Sequence, residues 1–390
     1  MLSLLFVLLQ VYFWPYFSLD VDSSWYAQLV YQYLGHDPHT AHVLAEQLWC
    51  VGQPPDCMAV NAAHFAPTGD PRYAAIFDTR PGYPLMVAGL FSVIGHMRFS
   101  MWIIPVVCTL LAGLGIYWLL RLLGLIPGLA AAGQALFYLL PTGVWGVHAL
   151  TEGPITAGAV AAILAGVLLA RGRFALGTGL LVIGLGSMAA VKYSTALPVA
   201  GFLLVAAILC WWRHDADRRG LAILGGVSLL TLATVLYISD KLSLPGFNDT
   251  AQDLFTNHWA TPLVPNPIRM MISANHYYWV NWLTIDSNNA LLLAGVIVGL
   301  VALFRFNRMA ALLVLASVLV GFAQAAVHPL PTQGNRLYLL AWLAVIVGLP
   351  VAAHLLMTRR QPEEDKPVLP EDESPEEETR ELSRVGTVED

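Results

Sequence analysis

Two aspartates, Asp20 and Asp22, stand in the stretch FSLDVDSSWYAQLVYQYL, directly after an apolar opening segment. Asp22 and Tyr26 are four residues apart, so they share one face of a helix. Asp22 is also of a residue type that caps helix N-termini. A cap needs only one such side chain. A second carboxylate where a membrane helix should end is therefore a candidate for chemistry, with capping as the alternative.

Two further segments pair charged side chains with helix starts. Arg80 and Tyr83 lie in DTRPGYPLMVAGL, where two prolines restrict the backbone ahead of an apolar run; an ordinary turn is the alternative. Glu152 follows the plausible cap Thr151 in HALTEGPITAG. A carboxylate is electrostatically favoured at a helix N-terminus, so a purely local role for Glu152 is the alternative.

Lys192, in AAVKYSTALP, and Arg336, in PTQGNRLYLL, are basic residues flanked by apolar sequence. Ionisable groups in such segments are costly and are candidates for function by default. Snorkelling towards lipid head groups is the alternative for both. The planar fork of Arg336 suits bidentate contact with a phosphate.

Aromatic residues and cysteines give two weaker signals. His276 and Tyr277 belong to MMISANHYYWVNWL, where the rings either stack on a sugar or form the aromatic belt of a membrane protein. Cys50 and Cys57 enclose the two prolines of CVGQPPDC. This spacing suits a local disulfide in an oxidising compartment. Two free thiols or a metal pair are the alternatives.

These residues must be positioned by a membrane-embedded chain. Of 390 residues, 57% are hydrophobic and 12% are charged, and mean hydropathy is +0.63. A soluble domain carries about 25% charged residues, so we predict an all-α polytopic membrane protein. The predicted spans are 1–17, 99–120, 125–148, 153–170, 174–191, 195–212, 221–239, 290–304, 309–327 and 337–357.

Short basic connections follow every second predicted span. They contain Arg121, 171–173, 213–219, 305–308 and 359–360. Because basic loops stay cytoplasmic, both termini are predicted on the cytoplasmic side of a cell membrane. The active site is predicted on the outer face. Residues 18–98 and 240–289 are then long outer loops. The short apolar segment 82–96 is predicted to lie on the outer membrane surface, with a re-entrant hairpin as the alternative.

The chain divides into a membrane domain, 1–358, and a tail, 359–390. Residues 361–390 hold 12 acidic and 3 basic residues and lack aromatic side chains. This composition predicts a disordered, solvated cytoplasmic tail.

In the order and sidedness of these motifs the chain resembles the GT-C glycosyltransferases, which use polyprenyl-phosphate sugars. This superfamily includes the protein O-mannosyltransferases and the aminoarabinose transferases. Asp22-Ser-Ser-Trp-Tyr26 resembles the family's acidic residue with an aromatic residue four positions on. RPGYPLMVAGLFSVIG resembles its proline-containing motif at a juxtamembrane helix, and Glu152 its acidic residue after the third span. The resemblance extends over residues 1 to about 240 and more loosely over the last three spans.

The resemblance implies an inverting sugar transfer at the outer face, from a polyprenyl-phosphate donor to a hydroxyl of a glycan, lipid or protein acceptor. Asp22 is then the general base, with Asp20 and Glu152 as further catalytic carboxylates. Lys192, Arg336 and Arg80 hold the phosphate. The residues implied to bind substrate are Tyr26, Tyr83, His276 and Tyr277.

The resemblance requires no cofactor. Ser23 stands where the family often has Glu, and Asp20 gives an alternative D-x-D pattern. In the oligosaccharyltransferase branch that pattern accompanies a divalent cation, so Mg²⁺ or Mn²⁺ at Asp20, Asp22 and Glu152 is the metal alternative. Membrane lipid is an expected partner and nucleic acid is not. A transporter or lipid flippase, and a non-catalytic assembly partner, are the competing functions.

Overall fold

The computed structural model describes residues 1–13, 19–61, 71–330 and 334–359, and regular secondary structure within these ranges is entirely helical. The helices are α1 (Leu2–Phe13), α2 (Val21–Tyr33), α3 (Pro38–Cys50), α4 (Cys57–Asn61), α5 (Pro71–Asp78), α6 (Gly82–Ile94), α7 (Met97–Leu122), α8 (Pro127–Leu139), α9 (Pro141–Gly146), α10 (Glu152–Ala170), α11 (Phe174–Arg213), α12 (Arg218–Lys241), α13 (Phe247–Phe255), α14 (Pro267–Ile285), α15 (Asn288–Phe306), α16 (Arg308–Val327), α17 (Gly334–Leu337) and α18 (Trp342–Arg359). A short 3-10 turn, Leu339–Ala341, leads into α18.

Seven helical segments in the described part of the chain are long and apolar enough to cross a membrane. They are α7, α10, α11, α12, α15, α16 and the segment Leu339–Thr358, which includes most of α18. An α-helix of about 20 residues spans the hydrocarbon core of a bilayer. The chain therefore has the architecture of a polytopic membrane protein, as its composition predicts.

Helix α11 doubles back on itself at Lys192. The Cζ atom of Arg219 lies 4.7 Å from the centre of the Phe174 ring. The first residue of α11 thus neighbours Arg219, which lies six residues after the last, although a straight helix of 40 residues would be about 60 Å long. Lys192 has φ −162° and ψ 85°, which breaks the helix into two antiparallel limbs. The limbs correspond to the predicted spans 174–191 and 195–212.

This hairpin and its neighbours give the helix bundle two distinct ends. At one end, Arg219 contacts Phe174, the Cys210 and Met309 sulfur atoms lie 3.2 Å apart, and Phe306 contacts His354. The basic connections 171–173, 213–219 and 305–308 therefore share that end. The alternation of basic loops along the sequence predicts this grouping.

Two predicted spans differ from the structure. Segment 125–148 is broken into α8 and α9 after Leu140, because Pro141 lacks the N–H that a continuous helix needs. Helix α8, with 13 residues, is only about 20 Å long. Helix α1 has 12 residues, and the remainder of the predicted first span, 14–17, lies outside the described ranges. The total of ten spans stays a prediction.

The predicted outer loops fold into helices rather than extended chain. Residues 18–98 contain α2 to α6, and residues 240–289 contain α13 and α14. Helix α6 coincides with the predicted surface segment; it buries Tyr83 and Val87 and exposes Leu85 and Val93. Residues 360–390, nearly all of the predicted tail, lie outside the described ranges.

Glycines allow the closest helix contacts in the bundle. A Cβ atom on Gly348 of α18 would lie 2.2 Å from the Cα of Gly299 in α15. Small residues at such crossings let membrane helices pack backbone to backbone. Helix α18, which begins six residues after Arg336, is therefore held tightly against α15.

Candidate functional site

Five charged side chains from distant parts of the chain meet at the end of the bundle opposite the basic connections. They are Asp22 of α2, Arg80 between α5 and α6, Glu152 at the start of α10, Lys192 at the bend of α11, and Arg336 of α17. We call them the charged cluster. All five are sequence-predicted catalytic or phosphate-binding residues, and the fold brings them together.

Arg336 binds two carboxylates of the cluster at once. Its Nη2 atom donates to Asp22 Oδ2 at 2.5 Å, and its Nε atom donates to Glu152 Oε1 at 2.9 Å. The guanidinium carbon also lies 5.9 Å from the centre of the Trp145 ring. Burial by itself lowers the pKa of Arg336, but the charges of Glu152 and Asp22 outweigh it and leave the pKa above its ordinary value.

Asp20, rather than Asp22, is the N-cap of α2, which corrects the prediction that Asp22 caps this helix. The Asp20 backbone N–H donates to Ser23 Oγ at 3.0 Å, and the Asp20 carboxylate binds His148 Nδ1 at 2.8 Å. Asp22 lies in the first turn of the helix with its carboxylate turned to Arg336. Capping therefore does not account for Asp22.

The electrostatic surroundings of Asp22 favour its charged form. Burial raises the pKa of its carboxyl group, but Arg336, with smaller contributions from Arg80 and Lys192, lowers it further than burial raises it. The net pKa is below the ordinary value for aspartate. While it is paired in this way, Asp22 is a weak base.

Tyr26 and Tyr83 lie behind the cluster, and both side chains are fully buried. The Tyr26 hydroxyl accepts a hydrogen bond from Arg80 Nη1 at 3.1 Å, and the Tyr83 hydroxyl donates to the Met101 carbonyl oxygen at 2.7 Å. The two rings meet edge to face. The substrate-binding role of both residues stays a prediction. They position Arg80 and the start of α6.

A close backbone contact brings Arg80 towards Lys192. A Cβ atom on Gly82, the first residue of α6, would lie 2.8 Å from the Ala190 carbonyl carbon. Only glycine lets α6 begin this close to the bend of α11. The sequence Arg-Pro-Gly thus places Arg80 beside the bend that carries Lys192.

Arg80, Glu152, Lys192 and Arg336 line one cavity of about 460 Å³. Its remaining walls are largely apolar and come from α10, α11, α16 and the segment before α13. Lys192 makes no hydrogen bond or ion pair with other described residues. Glu152 Oε2 is buried and has no hydrogen-bond partner within the same ranges. The cavity thus offers a cation and an acceptor atom to a ligand that carries both an anion and hydroxyl groups.

His276 and Tyr277 do not join the charged cluster. Both are exposed on α14 and neither lines the cavity. Their neighbours Tyr278 and Trp282 face the protein instead and pack near Tyr338 and Phe322. The aromatic run therefore anchors α14 by packing, and the structure gives His276 and Tyr277 no contact with the site.

Trp145 and His148 are the site residues that sequence reasoning missed. Their rings lie 4.9 Å apart; Trp145 faces Arg336, and His148 binds Asp20. His148 stands four residues before Glu152, so its proximity to a predicted site residue was a usable signal. Trp145 lies inside the segment that was predicted to be a continuous span.

The metal alternative fits the donor atoms poorly. Asp20 binds His148, whereas Asp22 and Glu152 both bind Arg336. A cation shared by Asp22 and Glu152 would have to displace the guanidinium group between them. Among the described residues, no group of three histidine, cysteine or acidic side chains is arranged to hold a metal ion.

The segment that contains α2 to α6 is fastened to the start of α7 away from the charged cluster. Cys50 and Cys57 form a disulfide between the end of α3 and the start of α4. Arg98, at the start of α7, donates to the carbonyl oxygens of Leu48 and Val51 at 2.7 and 3.0 Å. These contacts fix the segment that leads from α2 towards Arg80.

Comparisons of this chain with protein-family models, with curated proteins and with solved structures give no match.

Proposed function

We propose that this protein is an integral membrane glycosyltransferase that moves a sugar from a polyprenyl-phosphate donor to an acceptor hydroxyl. One observation carries the proposal: three cations and two carboxylates from five separate elements converge beside a cavity at one end of the apolar bundle. A lipid-linked donor presents its reacting bond at the same boundary between membrane and water. In the proposed orientation, this end is the outer face.

The cations suit a phosphate that becomes more negative as its bond to the sugar breaks. Lys192 and Arg80 line the cavity directly, and Arg336 lies between the cavity and Asp22. Fixed cations in a water-poor site stabilise such developing charge strongly. A polyprenyl phosphate held in this way leaves with the bonding electron pair.

An apolar groove of about 710 Å³ on the other side of Arg336 supports a lipid donor. It runs between α8, α15 and α18, and none of its lining residues is charged. Its lining includes Asn335, which precedes Arg336 in the chain, and Trp145, whose ring lies 5.9 Å from the Arg336 guanidinium carbon. A lipid chain lying in the groove would bring its phosphate to the charged cluster.

Asp22 is the proposed general base. It takes the acceptor hydroxyl proton while the acceptor oxygen bonds to the anomeric carbon and the sugar–phosphate bond breaks, which inverts the anomeric configuration. In the structure Asp22 is paired with Arg336, and its pKa is lowered. A donor phosphate competes for Arg336, and weakening this pair makes Asp22 a stronger base. The donor then prepares the base for its own transfer.

The position of the charges favours an enzyme over a transporter. Glu152 is the first residue of α10, Lys192 lies at the tip of the α11 hairpin, and Arg336 precedes the last apolar segment. Transporters place substrate-binding groups near the middle of the bilayer, at interrupted helices. Charges at helix ends instead fit a reaction at the membrane surface.

The substitution Asp22→Asn tests the proposal. Asn keeps the size of the side chain and can still accept the hydrogen bond from Arg336, but it cannot serve as a base. We expect folded protein that binds donor lipid and has lost about 10²- to 10⁴-fold of its transfer rate. The assay is sugar transfer by purified protein from a polyprenyl-phosphate sugar, identified among the lipids that accumulate in a deletion strain.

Asp20→Asn is the matched control. Its carboxylate binds His148 and makes no contact with Arg336, so this substitution should slow transfer less. Full activity of the Asp22→Asn protein would remove Asp22 from the mechanism. An equal loss in both variants, reversed by added Mg²⁺ or Mn²⁺, would favour a metal site instead.

A further inference from the structure

A strained turn after α13 contains three consecutive non-glycine residues in the left-handed region. Asn257, His258 and Trp259 have φ values of 49°, 58° and 60°. Left-handed backbone is unfavourable for residues that carry a Cβ atom. Thr256 Oγ stabilises the turn by accepting from the Trp259 N–H at 2.9 Å. Residues with strained backbone are frequent at functional sites, so the side chain that this turn exposes is a candidate for binding.

The turn presents the imidazole ring of His258. Its Nδ1 atom lies 2.8 Å from Asp253 Oδ1, and the carboxylate must be the acceptor in this pair. Asp253 is 6% exposed and His258 is 52% exposed at the side chain. In the neutral imidazole, the Asp253 carboxylate holds the proton on Nδ1, so Nε2 is left as the hydrogen-bond acceptor.

Aromatic residues of α2 and α5 pack next to the His258 ring. The Tyr73 ring, on α5, lies 4.2 Å from the His258 ring at an angle of 33°. Tyr73 also meets Trp25 and Phe77 edge to face. His258 thus connects α5 with the turn after α13: the Tyr73 ring lies against the imidazole, and about half of the His258 side chain is exposed.

The pair also lies within electrostatic range of the charged cluster. Burial raises the pKa of Tyr73, and the charges of Asp22 and Asp253 raise it further. Burial lowers the pKa of His328, a residue of the cavity wall, and Asp253 acts against that change. Asp253 therefore acts both on the cavity wall and on the Tyr73 ring beside His258, and Asp22 acts on that ring as well.

We propose that His258, held by Asp253 and backed by Tyr73, forms an acceptor subsite that accepts a hydrogen bond from a hydroxyl group of a neutral carbohydrate. The inference rests on the proposed function and names the class of its acceptor. A fixed acceptor atom beside an aromatic ring suits a sugar ring, which offers hydroxyl donors and apolar C–H faces. The buried negative charge beneath the imidazole disfavours an anionic acceptor.

Binding of methyl glycosides tests the subsite without sugar transfer. Saturation-transfer NMR with a panel of neutral methyl glycosides should show binding to the purified protein. His258→Asn should weaken that binding at least 10-fold, since Asn tolerates left-handed backbone and keeps the turn while it removes the imidazole. His214→Asn is the matched control and should bind normally, because His214 is an exposed histidine with a left-handed φ of 57° that lies among the basic connections at the other end of the bundle.

A second readout concerns the tautomer. Nitrogen-15 NMR of labelled histidine should place the His258 proton on Nδ1, and Asp253→Asn should change that signal and weaken glycoside binding. No binding by the wild-type protein, or equal binding by His258→Asn, overturns the subsite. Glycoside binding at His258 together with a fully active Asp22→Asn protein would instead leave the subsite standing and reject the proposed mechanism.

Discussion

Arg336 connects three parts of the chain through one side chain. It donates to Asp22 of α2 and to Glu152 of α10, and it lies near the ring of Trp145. Its own segment, α17, leads directly into the last apolar helix. Arg336 therefore has a structural role, in pairing two carboxylates, and a proposed role in holding phosphate.

Arg336→Ala is expected to lower both stability and transfer. Removing one partner of a buried ion pair costs about 3–5 kcal/mol, because the remaining charge stays buried without compensation. Arg336→Lys keeps the charge but cannot direct two separate N–H groups, so both losses should be smaller. Thermal unfolding in detergent and sugar transfer measure the two effects.

The double variant Arg336→Ala/Glu152→Gln separates the two roles. Neutralising Glu152 removes one unpaired charge, so part of the unfolding temperature should return while transfer stays low. Transfer at the wild-type rate by both Arg336→Ala and Arg336→Lys would assign Arg336 to lipid head groups rather than to the donor phosphate.

The charged residues of the cluster leave a clearer signal in the sequence than the aromatic residues around them. Lys192 and Arg336 stand out because ionisable groups are rare within apolar sequence. Tyr26 and Tyr83 have suitable types and spacing, but their depth depends on packing against α5 and α7. Burial of an aromatic side chain by distant helices leaves no local signal in the sequence.

At the scale of helices, hydropathy identifies the apolar segments but not the points at which helices bend or break. Spans 174–191 and 195–212 were predicted as separate, and the structure joins them by a bend at one residue, Lys192. Segment 125–148 was predicted as one span, and Pro141 breaks it. Hydropathy averages over a window, so it does not register a backbone break at a single residue.

Gly348→Ala should loosen the contact between α15 and α18. The added Cβ atom would lie 2.2 Å from the Gly299 Cα and 2.7 Å from its carbonyl oxygen, so a helix must move. Overpacking of this kind costs about 1–3 kcal/mol. A lower thermal unfolding temperature in detergent is the expected result.

Gly226→Ala in α12 is the matched control, because nothing lies within 4 Å of the added Cβ atom. Alanine favours a helix over glycine by about 1 kcal/mol, so this variant should be as stable as the wild type or more so. Equal unfolding temperatures for both variants would argue against the close α15–α18 contact.

The whole molecule separates its charges between two ends. The basic connections lie at one end, and the charged cluster lies at the other. The rule that basic loops remain cytoplasmic then predicts that the cluster faces outwards. Structure and sequence agree on which residues share an end, and the orientation in the membrane is a prediction.

Cysteine labelling tests that orientation. In a background with Cys108 and Cys210 replaced by alanine, the disulfide-forming cysteines remain paired and silent. A membrane-impermeant thiol reagent applied to intact cells should label Thr261→Cys, and should label Asp215→Cys only after the cells are opened. Labelling of Asp215→Cys in intact cells would reverse the topology.

The fold-back of α11 also has a consequence for biogenesis. With its tip outside, the hairpin must carry Lys192 across the bilayer, against a potential that opposes outward cation movement by about 2.3 kcal/mol per 100 mV. Glu152 is synthesised earlier and begins the helix against which the first limb packs. If α10 and the hairpin leave the translocation machinery together, the two charges cross as a neutral pair. The order of synthesis would then lower the electrical cost of assembling the site.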